Sequence, residues 1–466
     1  MFAARLLLGV PSLPEALMDR ATAVLPLPLF GALISALGAW AKPLLVASLA
    51  VAQVFLLGIL GALWFSWRSA WGQGRRLWGF TLALSLLLWA GALALAPARE
   101  FGLAISWLPS FLAYGLVLVL LPQRRLLPVY ISRRRLLVGL SAAAALGVLL
   151  ALVGRFLSRV PRREPPPTAT PEVTPSQDFY SVSKNLMDPA VDAATWKLTL
   201  GGLLEQPATL SYEELLALPW VEQFLTLECV ENPVGGHLIG NALWRGVVLG
   251  DLLRPSGIRQ GVRKVALRAA DGYSDSITLE KALEPGTILA YLMNGEPLAQ
   301  EHGFPARLLV PGIYGMKNVK WLTAVELVDY DFRGYWQQRG WSDRALILTM
   351  SRMDFPRNIE GLAEAEKYGM SGIAFAGDRG VSRVEVSTDG GRSWLPAVLK
   401  PALSPYSWVL WSREWSPPPG SYTLQVRAAD GRGEVQSGIQ TGPLPNGSTG
   451  YHTVSVRILP PPSPTL

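Results

Sequence analysis

Two patterns of apolar residues divide the 466-residue chain. Up to about residue 158 they run in unbroken blocks. Four blocks, Leu44 to Trp67, Leu77 to Ala96, Leu103 to Leu121 and Leu136 to Leu157, are long enough to cross a ~30 Å hydrocarbon core as helices. A fifth, Ala21 to Trp40, contains Leu25-Pro-Leu-Pro28; proline weakens its first turns, so it either spans or lies in the interface. After the proline-rich stretch Pro161 to Pro175 the period changes. Trp196 to Leu200, Phe224 to Leu227 and Val265 to Arg268 read as short strands, whereas Ser211 to Leu218 reads as a helix with Ser211 as N-cap. From about Gly372 the pattern becomes all-strand: Val381 to Ser387, a turn at Thr388 to Arg392, Ser407 to Trp411 and Gly420 to Ala428.

The expected architecture is therefore multidomain. It comprises N-terminal transmembrane helices over 1–158, a linker over 159–178, an α+β domain over 179–350, a connector over 351–371 and an all-β immunoglobulin-like sandwich over 372–460. Trp394, Trp408, Trp411 and Trp415 are read as core or interface aromatics of that sandwich.

Charge changes the picture little. The net charge of +7 could suggest nucleic acid, but Arg68, Arg75 and Arg76, and Arg124, Arg125 and Arg133 to Arg135, sit beside apolar blocks, where positive-inside topology accounts for them. No nucleic-acid partner is expected. The same asymmetry makes the protein a multi-pass protein of the cell membrane with its C-terminal domains extracytoplasmic. Ser132-Arg-Arg-Arg-Leu-Leu137 reads either as an internal twin-arginine export signal or as a positive-inside stop. No histidine precedes His237, so the first part lacks the imidazoles of a membrane haem and is an anchor or docking surface.

Candidate chemistry centres on Thr226-Leu-Glu-Cys229-Val-Glu-Asn232-Pro-Val-Gly-Gly236, which holds the single cysteine. One thiol and three histidines cannot build an intramolecular disulfide or an ordinary structural zinc site. A buried inert thiol, a nucleophile, or a thiolate on a metal that arrives inside its own cofactor remain. The alternation before Cys229 and the Asn-Pro and Gly-Gly after it place the sulfur where a strand ends in a loop. Further on, Gly315 with Lys317 and Lys320 suits either a phosphate or a solvated basic turn. His302 is equally open between a functional group and a polar residue at a strand start.

In sequence order, Thr226 to Asn232, Trp244-Arg-Gly-Val, Ala270-Asp-Gly-Tyr273, Asn294-Gly-Glu-Pro, His302-Gly-Phe-Pro-Ala-Arg307 and Gly315-Met-Lys-Asn-Val-Lys-Trp321 resemble the molybdopterin domain of the sulfite oxidase family. The resemblance covers about Phe179 to Asp343, and the strands beyond resemble that family's dimerisation domain. It implies a molybdenum-molybdopterin cofactor, two-electron oxygen-atom transfer to or from a small molecule, a separate redox partner such as a cytochrome, and a homodimer. Residue by residue, it makes Cys229 the metal ligand and catalytic position. Tyr180, Ser181, His302, Arg307, Gly315, Met316, Lys317 and Lys320 become cofactor-binding positions. Where sulfite oxidases carry arginines and a metal-facing tyrosine, this chain has Val182, Pro233, Val234 and Trp341. The substrate expected is therefore not sulfite; a sulfite dehydrogenase, a sulfoxide reductase and a non-catalytic surface-binding module are the alternatives. The Cys-Val-Glu wording is closer to the periplasmic methionine-sulfoxide reductase branch, from which His302, in place of an asparagine, departs.

Overall fold

The computed structural model describes residues 41–67, 81–90, 108–120 and eight isolated positions among the first 37, then 170–185, 188–357, 359–363 and 368–460. Two compact units are present, Met1–Pro166 and Pro167–Leu466. In the first, the helices Ala41–Trp67 and Leu108–Leu120 have 27 and 13 residues. Among the described residues no helix is long and apolar enough to cross a membrane. This corrects the expected anchor of four to five spans, together with the multi-pass localisation and membrane association drawn from it. Leu136 to Leu157, the arginine run Ser132 to Leu137, most of Ala21 to Trp40 and the linker up to residue 169 lie outside the described residues.

The second unit is built on strands, and the expected α+β domain is mainly sheet. Its α-helices are single short pieces, Tyr212–Ala217, Leu249–Leu253 and Leu279–Leu283. The first is held by a capping box: Ser211 Oγ accepts from Glu214 N at 3.2 Å, and Ser211 N donates to Glu214 Oε2 at 2.7 Å. One sheet has the order β2-β1-β10-β5-β6, from β1 (Lys197–Gly202), β2 (Ala208–Ser211), β5 (Lys264–Ala269), β6 (Ser274–Ile277) and β10 (Leu322–Val328). The other carries the cysteine. Its order is β3-β4-β7-β8, from β3 (Val221–Glu228), β4 (Ile239–Val248), β7 (Ile288–Met293) and β8 (Glu296–Pro297), with β9 (Arg307–Leu309) also paired to β7.

β3 is half exposed at its start and wholly buried over its last four residues, Leu225 to Glu228. Leu225 and Leu227 pack with Trp244, Ile288, Ala290 and Leu309 in one apolar cluster. That burial fixes the register, since a one-residue slip would turn the apolar set outward.

Two sheets close the molecule, β11-β13-β17-β16 and β12-β19-β18-β14-β15. The first comprises β11 (Met350–Phe355), β13 (Tyr368–Phe375), β16 (Val398–Leu399) and β17 (Val409–Trp415). The second comprises β12 (Ile359–Ala363), β14 (Val381–Ser387), β15 (Leu395–Pro396), β18 (Gly420–Asp430) and β19 (His452–Leu459). Met353, Met370 and Trp411 from one sheet meet Val386, Leu424 and Val456 from the other in a shared core, which makes a β-sandwich. Segment 351–371, expected as a connector, contains most of β11, all of β12 and the start of β13.

Candidate active site

Cys229 follows the last residue of β3 and is folded into a tight turn: its N donates to Leu238 O at 2.9 Å, and Asn232 N donates to Cys229 O at 3.0 Å. Asn232, 3% exposed, pins the turn. Its Oδ1 accepts from Leu238 N at 3.0 Å, and its Nδ2 donates to Glu228 Oε1 at 2.9 Å. The sequence Cys-x-x-Asn thus closes the loop with backbone and amide bonds, leaving the thiol on a pocket wall.

All the predicted site residues except Lys317 line that pocket: Tyr180, Ser181, Cys229, His302, Arg307, Gly315, Met316 and Lys320. His302 ends a short 3-10 turn, places Nε2 3.0 Å from Ser176 O and meets the ring of Phe179 edge-on. Its burial holds the imidazole below its ordinary value, so it is neutral near pH 7. Arg307, at the start of β9, donates through Nη1 to His302 O and through Nη2 to Asn318 O, both at 3.1 Å. Its Nε is buried with no hydrogen-bond partner among the described residues. Burial pushes this guanidinium down to about 10, still a cation at neutral pH. Tyr180 is raised well above the usual phenol range, first by burial and then by the neighbouring Cys229. Glycine at 315 leaves room for that side chain, because a Cβ there would lie 2.7 Å from Tyr180 Oη and force it to shift. Lys320 Nζ donates to Glu301 O at 2.8 Å and lies 4.6 Å from the centre of the Trp321 ring.

Lys317 goes elsewhere. Its Nζ donates to Asp275 Oδ1 at 2.7 Å and Ser276 O at 2.6 Å, and the residue is 1% exposed. A desolvated ammonium needs a partner, and Asp275, 0% exposed, holds it. Of the two lysines, Lys320 lines the pocket, whereas Lys317 lies outside its lining in a buried ion pair. Pro233 and Val234 do not line the pocket, whereas Val182 and Trp341 do. Trp341 stacks on Trp336 with ring centres 4.2 Å apart and 17° between planes.

Sequence reasoning assigned no role to Lys184, Asp271, Tyr273 or Trp336, which also line the pocket. Asp271 and Tyr273 stood in a quoted phrase; Lys184 and Trp336 carried no signal. Lys184 Nζ lies 3.9 Å from Asp271 Oδ2 and donates to Asn185 Oδ1 at 2.9 Å.

Two family models match the chain: an oxidoreductase molybdopterin binding domain over residues 185–336 and a Mo-co oxidoreductase dimerisation domain over 351–456. The sulfite oxidase of Arabidopsis thaliana is 32% identical over 285 residues, covering 50% of this chain and 72% of the plant protein. The chain belongs to the sulfite oxidase family. Human mitochondrial sulfite oxidase is 30% identical over 353 residues, covering 64% of each chain, so this sulfite oxidase family member spans just under two thirds of its animal relative. Nitrate reductase [NADH] 1 of Oryza sativa subsp. japonica is 29% identical, with 33% of its length matched. The crystal structure of the sulfane dehydrogenase SoxCD from Paracoccus pantotrophus shares the fold, with a TM-score of 0.55 and 23% identity over 64% of this chain and 87% of that one. An immunoglobulin-like identity and twin-arginine export find no support in these matches; the sandwich corresponds to the dimerisation domain.

The protein is thus a molybdenum-cofactor-dependent oxidoreductase, and molybdenum-molybdopterin is its cofactor. The pocket suits that group. It offers a soft sulfur, a buried guanidinium with an unsatisfied N–H, and a glycine that lets an aromatic ring approach closely. Among the described residues no group of three or more His, Cys, Asp or Glu side chains converges.

Proposed function

We propose that the chain performs two-electron oxygen-atom transfer with Cys229 as the protein ligand to molybdenum, on a neutral oxide such as a sulfoxide rather than on the sulfite dianion. When bound, the cofactor supplies the metal that exchanges two electrons and an oxygen atom. The chain's residues bind and orient it. The Cys229 thiolate meets the metal, Arg307 and Lys320 meet the phosphate and pterin, and Tyr180, Ser181, His302, Gly315 and Met316 shape the surrounding wall. The ammonium of Lys317 is engaged by Asp275 and acts as support from behind.

The observation that carries the substrate class is the balance of charge. Lys184, Arg307 and Lys320 face Glu231, Asp271 and Glu301 around the pocket, three cations against three carboxylates. A thiolate and the cofactor's phosphate add negative charge, and Lys184 is already offset by Asp271. A dianion would enter without a cation to meet it, which costs several kcal/mol in a partly dry site. Val182 and the stacked Trp336 and Trp341 supply an apolar wall instead.

Electrons pass to or from a separate redox protein such as a cytochrome. Of the three histidines, His302 is engaged with Ser176 and His452 accepts from Met353 N, so no two free imidazoles are at hand for a bis-histidine haem. The C-terminal sandwich supports a homodimer, as the description of its matching family model suggests.

The test is metal and pterin analysis of the full chain made in a host that synthesises molybdopterin, with dye-linked turnover of methyl sulfoxides and of sulfite. Expected are about one molybdenum per chain and turnover of the sulfoxide. In Cys229→Ser the sulfur-to-metal absorption disappears and turnover falls by more than about 100-fold, since even outer partners of a metal ligand are worth 10- to 100-fold. Faster turnover of sulfite than of any neutral oxide would reverse the substrate assignment. Undiminished turnover in Cys229→Ser would remove the thiolate from the metal.

A further inference from the structure

The cysteine loop belongs to the first half of the second unit, yet much of what holds it comes from the sandwich. Ser404 Oγ donates to Phe224 O at 2.6 Å, Thr226 N donates to Tyr406 O at 3.0 Å, and Trp408 N donates to Thr226 Oγ1 at 2.9 Å, all on β3 just before the cysteine. Past it, Ser448 Oγ donates to Asn232 O at 2.6 Å, and Arg352 Nη1 donates to Gly236 O at 2.8 Å. Arg352, 4% exposed, is itself fixed by Asp354, with Nε 2.6 Å from Oδ1. Between these two anchors Gly235 has φ +75°, and a methyl group there would overlap the ring of His452. That ring is set by Met353 N, which donates to His452 Nδ1 at 3.0 Å. The loop has backbone carbonyls where a helix or strand would have ladder partners, and the sandwich satisfies them.

We propose that the sandwich domain is a working support of the site, braced against the Cys229 loop from outside the pocket. It positions the Cys229 loop, with Ser448 and Arg352 as positioning residues that hold the turn from its far side through Asn232 and Gly236. The sandwich thereby has a second task besides association of chains: it sets where the thiolate sits and how rarely the loop opens. The proposal builds on Cys229 as the metal-ligating position, but the mobility of the loop can be measured without the metal.

Because the chain has one thiol, alkylation of the full-length, cofactor-free protein by iodoacetamide reads Cys229, and a change of rate between variants that leave the pocket lining intact reads the change in loop opening. Ser448→Ala is expected to raise the rate about fivefold, the equivalent of one ordinary hydrogen bond. Ser448→Thr, which keeps the hydroxyl, stays within about twofold of the parent by the same measure. Arg352→Met, which frees Gly236 O and leaves Asp354 without its guanidinium, raises the rate more than Ser448→Ala does. Far-ultraviolet circular dichroism and the melting transition check that each variant is folded; if Arg352→Met does not fold, the serine pair decides. An unchanged rate in folded Ser448→Ala, or a threonine variant as fast as the alanine one, overturns the proposal. Unchanged sulfur-to-metal absorption in Cys229→Ser with these rate differences intact would leave this proposal standing and instead count against the assignment of Cys229 to the metal.

Discussion

Lys317 and Lys320 are three residues apart in one motif and end in different environments. Lys317 is desolvated against Asp275, whereas Lys320 keeps its ammonium at the pocket rim on Glu301 O. Breaking a buried ion pair by removing one partner costs about 3–5 kcal/mol, because the other charge is left uncompensated. Lys317→Met is therefore expected to lower the melting temperature strongly. Lys320→Met should shift stability by less than about 1 kcal/mol, as for a surface pair, while its molybdopterin content on purification falls. Thermal unfolding and pterin fluorescence of the two variants check both. The difference was not readable from spacing, because Asp275 lies 42 positions earlier in the chain. The place of Cys229 just past the end of β3 was readable, since the alternation before it and the Asn-Pro and Gly-Gly after it mark where a strand runs into a loop.

Elements were legible where one face is buried. β14 occupies Val381–Ser387 as expected, and β18 runs from Gly420 two residues beyond its expected end. The helix after Ser211 forms where the cap and the acidic first turn predict it, although it covers only Tyr212–Ala217. Ser211→Ala should cost about 1 kcal/mol, the usual worth of an N-cap, and a urea titration should move the midpoint with no change in slope. β11 escaped notice because Met350-Ser-Arg-Met-Asp-Phe355 does not alternate in hydropathy. Its polar Ser351 and Arg352 are buried because they bond to Val426 O and Gly236 O in other elements. The long helices expected at the start were read from apolar run length alone, which does not by itself separate a span from a buried helix.

For the whole molecule, a buried imidazole, His302, and a half-buried one, His452, set an acid limit. Burial holds both His302 and His452 below the ordinary value of 6.5. Below that value the unfolded chain binds protons that the folded one refuses. Their contribution is fully present above about pH 6.5 and is lost as pH falls through the lower folded values, by up to about 1.4 kcal/mol per pH unit for each ring. Melting temperatures should therefore decline from pH 7 to pH 5, and His452→Gln should flatten that decline. An equal slope in the variant would remove His452 from the account. The docking of the sandwich on the cysteine loop also belongs to this scale, with Ser448 meeting Asn232 across 216 positions and Arg352 meeting Gly236 across 116.

The sequence by itself determined the sulfur at a strand end, the order of motifs that carries the family, and the strand periods, because each depends on neighbours within about ten residues and on which face is apolar. Only the tertiary structure decided which lysine reaches the pocket, that Pro233 and Val234 lie outside it while Lys184 and Trp336 lie inside, and that the second domain holds the first domain's loop. Those outcomes turn on partners for buried charges and carbonyls, and such partners are chosen by the three-dimensional packing of distant segments rather than by local pattern.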